Sequence, residues 1–318
     1  MKNNQLMIYG AYGYAGELMV REAVAQGLCP IIAGRDAEKL KPIATELSLE
    51  CRAFGVRNTG SNLQDISVLL NCAGPFSATA EPLARACLAQ QIHYLDITGE
   101  IDIFRKCHAL DEEARQQNVL ILPGAGTDIV PTDCLAAMLK EKLPVATRID
   151  LALSFGTNPS IGTVNTMIES FGKGGLIREG GMLKVVSNAF QMRKIPFQNK
   201  PQWAMTIPWG DVFTSGISTG VPDGAVYMVM PRMSIYMIRL TNPVKGILNT
   251  QFGQKITKRL AGWLMKKGPD AKALEAGRGQ FWGEAEAPDG KKLEMTMSTP
   301  NVYALTATVV ILIAQYCL

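Results

Sequence analysis

The sequence predicts an α/β protein, with a doubly wound parallel sheet followed by a second α+β domain that carries a mixed or antiparallel sheet. In residues 1–125, short apolar runs alternate with segments of helical periodicity, as in parallel sheets covered on both faces. Near the end of the chain, Pro288-Asp289-Gly290 separates two alternating segments. A turn of this kind is a hairpin signal, which indicates antiparallel pairing in the second domain.

These patterns place the individual elements and divide the chain into three parts. The apolar runs predict strands near 6–10, 30–34, 50–54, 67–72, 93–97 and 119–122. The periodic segments predict helices near 14–26, 36–47, 79–90 and 102–117. Beyond Gly124-Ala125-Gly126 the pattern predicts a helix over 127–142, a strand over 147–155, a helix over 160–171 and hairpin strands over 283–287 and 291–297. We therefore expect a first domain over 1–126, a second over 127–298 and a C-terminal helix over 299–318 that packs back onto the domains.

A glycine motif follows the first predicted strand and opens the first predicted helix. Three glycines at a spacing of three let backbone N–H groups approach a pyrophosphate, and the helix N-terminus favours its negative charge. An ordinary strand–turn–helix cluster of glycines is the alternative. The motif predicts a dinucleotide-binding, Rossmann-type first domain, and the residues assigned to the cofactor are Gly10, Ala11, Tyr12, Gly13, Tyr14, Ala15 and Gly16.

The end of the second predicted strand favours one dinucleotide over the other. Gly34 and Arg35 stand where NAD-binding folds place an acid for the ribose 2′-hydroxyl, and an arginine suits a 2′-phosphate. We therefore expect NADP(H) as the cofactor in preference to NAD(H). Alternatively, Arg35 is a solvated loop charge and Asp36 caps the following helix; both residues can serve at once.

Other polar residues lie where further predicted strands end, at the expected ligand edge of the sheet. After the fourth strand, Cys72, Ala73 and Gly74 are assigned to cofactor contact, with Cys72 favoured as a packing residue over a redox nucleophile. The candidates for a proton donor are Asp96, Thr98, Glu100, Asp128 and Asp211. Thr98 and Glu100 also suit a helix cap, and Asp133 is expected to be structural. Lys173 and Arg178, in a glycine-rich segment, either anchor an acidic or acyl-thioester substrate or are solvated loop charges.

Composition and charge limit the partners, ligands and compartment that we expect for the protein. The net charge of +4 over 318 residues, without a basic run interleaved with aromatics, predicts no nucleic-acid partner. Seven cysteines without CxxC spacing and two histidines predict no metal site and a reducing, cytoplasmic compartment. The N-terminus leads directly into the first strand, which leaves no room for a signal peptide. The apolar segment Val302–Leu318 is expected to be a buried helix, the alternative being a membrane span.

Several motifs occur together: GAYGYAG at 10–16, Ala33-Gly34-Arg35, Asn71–Phe76, His93–Glu100, and Pro123–Asp128 with Pro131-Thr132-Asp133. As a set they resemble the saccharopine dehydrogenase-like oxidoreductases. Two later motifs, Pro208–Val212 and Ser218–Pro222, resemble the branch that includes trans-acting enoyl reductases. The resemblance implies an NADP-binding Rossmann domain joined to a dimer-forming α/β domain, and hence a homodimer. Tyr12 departs from the family pattern, which commonly has a small residue there, and the chain ends where relatives are expected to continue.

Three functional hypotheses follow. The first is NADPH-dependent hydride transfer to a polarised C=C bond of an enoyl group, or to a C=N bond, in a small-molecule or acyl substrate. The second is a saccharopine reductase acting on an amino-acid imine, which needs convergent arginines; the central ones do not cluster in the sequence (Arg148, Arg178, Arg193, Arg232 and Arg239). The third is a non-catalytic NADP(H) redox sensor, since neither a Tyr-x-x-x-Lys pair nor a clear His/Asp dyad is evident.

Overall fold

A computed structural model describes residues 4–156, 174–198, 200–240, 242–244, 250 and 277–318. Within these ranges the chain forms two compact units. The first contains the residues up to Asp128 together with Tyr303–Leu318, and the second contains Ile129–Val302. The first unit is therefore built from two segments that are far apart in the sequence.

The first unit contains a six-stranded sheet in which every pairing is parallel. Its strands are β1 (Leu6–Tyr9), β2 (Ile31–Gly34), β3 (Cys51–Ala53), β4 (Val68–Asn71), β5 (His93–Asp96) and β6 (Ile121–Leu122). The strand order is β3-β2-β1-β4-β5-β6, which changes direction between β1 and β4. The predicted doubly wound sheet is confirmed, and its ligand edge is expected where the carboxyl ends of β1 and β4 lie side by side.

Helices connect these strands, and two of them differ from the predictions. They are α1 (Tyr14–Ala25), α2 (Ala37–Leu47), α3 (Phe76–Ala89), α4 (Ile101–His108) and α5 (Asp111–Gln116). Helix α3 begins at Phe76 rather than near 79, directly after Pro75 at its N-cap position. The single helix predicted over 102–117 is divided, because the chain turns at Leu110 and buries that side chain in the core.

Alternation along β1 divides its side chains between two hydrophobic cores. Met7 and Tyr9 point to one, and Leu6 and Ile8 point to the other. Helix α9 (Val302–Cys317) fills part of the second core with four buried side chains: Ala307, Val310, Ile311 and Ala314. Within the described ranges, no helix combines the length and the apolar character that crossing a bilayer requires.

The second unit contains a mixed sheet. Its strands are β7 (Arg148–Ser154), β8 (Gly175–Glu179), β9 (Met182–Val186), β10 (Met192–Pro196), β11 (Pro201–Ile207), β12 (Asp223–Val229), β13 (Gly279–Glu286) and β14 (Lys292–Thr299). The order is β10-β11-β12-β7-β13-β14, with β8 joined to β12 and to β9. Strands β7 and β12 are parallel and the other pairs are antiparallel, so the predicted mixed sheet is confirmed.

Among the described residues, three helices accompany this sheet: α6 (Val130–Lys142), α7 (Asp211–Thr219) and α8 (Arg232–Leu240). Helix α6 packs closely on the sheet, since a Cβ added at Gly283 of β13 would lie 2.6 Å from Leu139 Cδ1. The predicted hairpin forms, and Asp289 accepts the Lys291 N–H at 3.0 Å. The sequence did not predict β8 to β12, and the helix predicted over 160–171 lies outside the described residues.

Candidate functional site

The loop between β1 and α1 is a close-packed glycine turn. Gly10 has φ +85° and donates its N–H to the Ala33 carbonyl at 2.7 Å. A Cβ at Gly10 would lie 2.7 Å from Ala73 N, and one at Gly16 would lie 2.2 Å from Gly10 O. Glycine at position 10 therefore lets the turn approach Ala73 in the loop after β4, and glycine at position 16 lets α1 pack against the turn. A side chain at either position would prevent this approach.

This turn ends at the N-terminus of α1, where an anion is favoured. The N-cap residue of α1 is Gly13, which has no side chain to accept the first N–H groups. The helix dipole adds partial positive charge at the same place. The residues predicted to bind the cofactor, Gly10–Gly16, form this turn, and the cradle fits the pyrophosphate of a dinucleotide.

Tyr12 lies across the turn and covers the end of β2. A Cβ added at Gly34 would lie 2.6 Å from Tyr12 Cε1, so the ring occupies the space that a side chain at position 34 would need. The Lys39 ammonium nitrogen is 5.7 Å from the centre of the ring. The bulky residue at position 12 thus lies against Gly34, the residue before Arg35.

Arg35 and Asp36 have different surroundings, although they are neighbours. The Asp36 carboxylate caps α2: Oδ1 accepts the N–H groups of Glu38 at 3.1 Å and Lys39 at 3.3 Å, and Oδ2 pairs with the Lys39 ammonium at 3.4 Å. Arg35 is exposed, and no hydrogen bond or ion pair within the described part of the chain engages its guanidinium. The carboxylate nearest the end of β2 in sequence is therefore committed to its own helix, and the neighbouring cation is available.

Asp96 is a buried carboxylate whose oxygens are occupied by donors of its own unit. Oδ1 accepts the N–H groups of Thr98 at 3.0 Å and Gly124 at 2.8 Å, and Oδ2 accepts the Tyr94 hydroxyl at 2.8 Å. Burial raises its pKa to about 6, and these three hydrogen bonds limit the rise. Asp96 therefore links the loop after β5 to the loop after β6 through hydrogen bonds.

Asn71 continues this network into the loop after β4. Its Oδ1 accepts the Ala73 N–H at 3.0 Å, and its Nδ2 donates to the Tyr94 hydroxyl at 3.1 Å and to Thr79 Oγ1 at 3.2 Å. The side chain is fully buried. Sequence reasoning overlooked Asn71 and Tyr94 as site-forming residues, although a polar residue closing a buried strand was a usable signal.

The other candidates of the first unit have distinct surroundings. Thr98 is buried, and its Oγ1 accepts the N–H of Glu100, the half-buried N-cap residue of α4, at 3.1 Å. Asp128 is half-buried just beyond β6, and burial raises its pKa to about 7. Cys72 is buried and its thiol pKa is raised by that burial, which disfavours the nucleophilic thiolate.

The residue before Asp128 is anchored to α9. Thr127 accepts a hydrogen bond at its hydroxyl from Thr306 Oγ1 at 2.9 Å, and its N–H donates to the same Thr306 oxygen at 3.1 Å. A Cβ at Gly126 would lie 2.7 Å from Thr306 Cγ2. Helix α9 therefore fixes the backbone that leads to Asp128.

Two polar residues that the sequence singled out in the second unit, Asp211 and Arg178, are buried. Asp211 lies fully buried in the first turn of α7, and Asp133 accepts the Ser218 hydroxyl at 2.9 Å. Arg178 is neither in a loop nor solvated, which corrects the sequence interpretation: it lies in β8, is 4% exposed, and donates to the carbonyls of Val212 and Val221. It therefore supports the unit rather than a substrate. Lys173 lies outside the described residues.

The structure also corrects the view that the central arginines are unclustered. Arg148 and Arg193 both pair with Asp150, at 2.9 Å and 3.4 Å. Arg193 also pairs with Glu284 at 3.2 Å and lies 4.7 Å from the ring centre of Trp282. Residues from β7, β10 and β13 thus form an ion cluster on the sheet face, in which the cations are already neutralised.

We also searched the described side chains for a set that could bind a metal ion. Across the described ranges, no group of three or more His, Cys, Asp or Glu side chains could hold a metal ion.

Comparison with protein families matches the first domain. Residues 6–122 match the model described as the saccharopine dehydrogenase NADP binding domain. A saccharopine dehydrogenase-like oxidoreductase of Rattus norvegicus is 25% identical over 231 residues, covering 64% of this chain and 53% of the rat protein. A Mycobacterium tuberculosis protein whose name proposes a trans-acting enoyl reductase is 29% identical over 205 residues, covering 58% of this chain and 44% of that protein. The chain spans about half the length of the curated relatives it matches.

Among solved structures, the apo histidine-tagged saccharopine dehydrogenase (L-Glu forming) from Saccharomyces cerevisiae has a similar fold. It matches with a TM-score of 0.64 at 9% identity, covering 98% of this chain and 91% of that chain. At this identity the likeness concerns the fold alone. The family match and the curated relatives confirm the resemblance to the saccharopine dehydrogenase-like oxidoreductases that the motifs indicated.

Proposed function

We propose that this relative of the saccharopine dehydrogenase-like oxidoreductases is an NADP(H)-dependent oxidoreductase. The observation that carries the proposal is the glycine turn of Gly10–Gly16, in which a Cβ at Gly16 would lie 2.2 Å from Gly10 O. Because glycine has no side chain, the backbone N–H groups of this turn can come close enough to a pyrophosphate to hold it at the start of α1. We assign Cys72, Ala73 and Gly74 to the same cofactor, because Ala73 lies against Gly10.

Arg35 supports NADP(H) over NAD(H). Binding the ribose diol of NAD requires a carboxylate acceptor near the end of β2, and Asp36 already caps α2. The exposed guanidinium of Arg35 suits a 2′-phosphate, which it can hold through two parallel N–H bonds. Gly34 belongs to this site because the Tyr12 ring rests on it.

NADPH, when bound, supplies the hydride, and the chain supplies orientation, exclusion of water and a proton. We propose Asp128 as the proton donor of the first unit, because it lies beyond the carboxyl end of β6 and burial raises its pKa to about 7. Asp96 and Thr98 are positioning residues in this proposal, since their oxygens already accept hydrogen bonds within the unit. Glu100 and Asp211 remain further candidates.

For the substrate we propose a polarised double bond, with an enoyl C=C ranked before an imine C=N. The name of the Mycobacterium tuberculosis relative supports the enoyl class. A saccharopine-type substrate carries several carboxylates, which would need uncommitted cations. Arg148 and Arg193 are instead paired with Asp150, and Arg178 with backbone carbonyls, so we rank that class second.

A non-catalytic NADP(H) sensor is the alternative from another class. The observation that favours it is that Asp96 and Thr98, two of the candidate proton donors, are buried and hydrogen-bonded to groups of their own unit. The sensor hypothesis predicts cofactor binding without turnover. We also propose, from the resemblance, that the chain acts as a cytoplasmic homodimer.

The test is a fluorescence titration of NADPH and NADH against wild type and Arg35→Ala. We expect wild type to prefer NADPH, and Arg35→Ala to weaken NADPH binding about 10- to 100-fold, the scale of a charge-assisted contact, while NADH binding stays the same. Arg115→Ala is the matched control, because this exposed arginine lies on α5 and pairs with Asp111.

The outcomes separate the hypotheses. Binding of neither dinucleotide overturns the proposed function. Binding without a preference for NADPH leaves the cradle in place but refutes the role of Arg35. Tight NADPH binding with no oxidation of it across enoyl and imine substrates favours the sensor.

A further inference from the structure

Helix α8 exposes an apolar face. Met233, Met237 and Leu240 are 71%, 59% and 73% exposed, and Tyr236 is 38% exposed. Residues three and four positions apart lie on the same side of a helix, so these side chains form one stripe. Ile235, which is fully buried, anchors the helix to its unit. The helix therefore packs through one side and presents large apolar groups on another.

A further exposed apolar residue lies on the loop between β9 and β10, which is hydrogen-bonded to the C-terminal end of α8. Arg239 Nε donates to the Ala189 carbonyl at 2.9 Å, and Asn242 Nδ2 donates to the Asn188 carbonyl at 3.1 Å. These bonds hold Phe190, which is 45% exposed, beside α8. The α8 surface is defined by Phe190, Met233, Tyr236, Met237 and Leu240. A cluster of this kind marks an interaction surface more often than singly exposed apolar residues do.

The segment of the sequence that begins with α8 is strongly basic. Residues 232–278 contain ten Lys and Arg against two Asp and Glu, whereas the remainder of the chain contains 22 and 26. The positive net charge of the protein is thus concentrated in one segment, and the rest is negative. Helix α8 itself carries Arg232 and Arg239 and no acidic residue. Because both charged side chains of α8 are cations, the partner of the α8 surface is expected to be anionic.

We propose that the α8 surface docks onto an anionic lipid bilayer and attaches the protein peripherally. Exposed methionine, leucine and aromatic side chains beside cations are the composition of an interfacial helix, whose apolar groups enter the headgroup boundary while the cations meet anionic headgroups. A nucleic acid would meet the charge but leave these apolar side chains in water. The attachment is independent of the proposed function, because α8 lies in the second unit and the glycine turn in the first.

The experiment is flotation of the full chain with phosphatidylcholine vesicles, with and without phosphatidylserine. We expect binding only with phosphatidylserine, and weaker binding as salt is raised. The triple variant Met233→Ser/Met237→Ser/Leu240→Ser should lower partitioning by about tenfold or more, since three apolar groups no longer enter the boundary. Val145→Ser/Ile217→Ser is the control, because these residues are 64% and 57% exposed outside the α8 surface.

Folding of each variant is checked by circular dichroism and by the NADPH titration, which reports on the other unit. Equal binding to both vesicle types, or an unchanged triple variant, overturns the proposal. Preferential binding of RNA in place of vesicles also overturns it. A dimer in light scattering that the triple variant converts to monomer, with no vesicle binding by wild type, assigns the α8 surface to a second copy instead and refutes the bilayer.

Discussion

At the scale of single residues, steric limits outweigh intrinsic preference at the glycine turn. Gly16 lies within α1, where alanine would normally be favoured by about 1 kcal/mol. A Cβ there would lie 2.2 Å from a backbone oxygen, which cannot give way as a flexible side chain can. The expected overpacking cost of about 1–3 kcal/mol equals or exceeds the gain in propensity.

Gly16→Ala is therefore expected to lower the free energy of unfolding and to abolish NADPH binding, measured by urea denaturation and by fluorescence titration. Gly55→Ala is the matched control, because a Cβ there meets no atom within 4 Å. An unchanged NADPH affinity in Gly16→Ala would contradict the close-packed turn.

Asp96 should make the stability of the protein depend on pH. Its folded-state pKa of about 6 lies above the ordinary value of 3.8, so the folded state holds a proton that the unfolded chain releases. This contribution is complete below about pH 4 and is lost as the pH rises through about 6, by at most about 3 kcal/mol.

Asp96→Asn should flatten this decline, measured as the free energy of unfolding against pH. The exposed Glu112→Gln should follow the wild-type profile, as it lies on the surface of α5. A decline of equal slope in Asp96→Asn and wild type would contradict the assignment to Asp96.

Individual residues also show which parts of the site could be predicted from the sequence and which could not. The position of Arg35 followed from a strand, a turn and a charge in one short stretch. The network of Asn71, Tyr94 and Asp96 could not be predicted in this way. Its members lie on β4 and β5, and the register of the sheet brings them together with Gly124, which follows β6. Arg178 was misjudged because nearby glycines suggested a loop, whereas β8 carries it into the interior.

At the scale of elements, α9 tests how much buried apolar surface contributes to the first unit. Ile311 is fully buried and its neighbour Leu312 is 47% exposed. Ile311→Ala should lower the free energy of unfolding by about 2–5 kcal/mol through the cavity it leaves, and Leu312→Ala by less than about 1 kcal/mol. Urea denaturation measures both, and equal effects would contradict the packing of α9 in this core.

Elements of the first unit were predictable because its central strands β1, β2 and β4 are buried along their whole length and bounded by turn residues. Strands of the second unit were not, apart from β7 and the closing hairpin. Within the described part of the chain, strand β9 pairs with β8 alone and exposes Met182 and Val185, so its pattern lacks the alternation of a half-buried strand. Helix α8 was not predicted either, although its apolar side chains recur at helical spacing.

At the scale of the whole molecule, the two units concentrate different properties. The first contains the glycine turn, Arg35 and the buried carboxylate network, which suit a dinucleotide. The second contains the ion cluster of Asp150 and Glu284, the α8 surface, and the sequence 232–278 with its excess of Lys and Arg. Overall composition concealed this distribution, because the two signs nearly cancel in a net charge of +4.

The division of the first unit between residues up to Asp128 and Tyr303–Leu318 has a consequence during synthesis. Translation runs from the N-terminus, and domains generally fold as they emerge. The side chains of α9 that complete this core, among them Val310 and Ile311, are made only after the whole second unit has been translated. The unit that begins first on the ribosome is therefore the one completed last, with its apolar face awaiting α9 in the nascent chain.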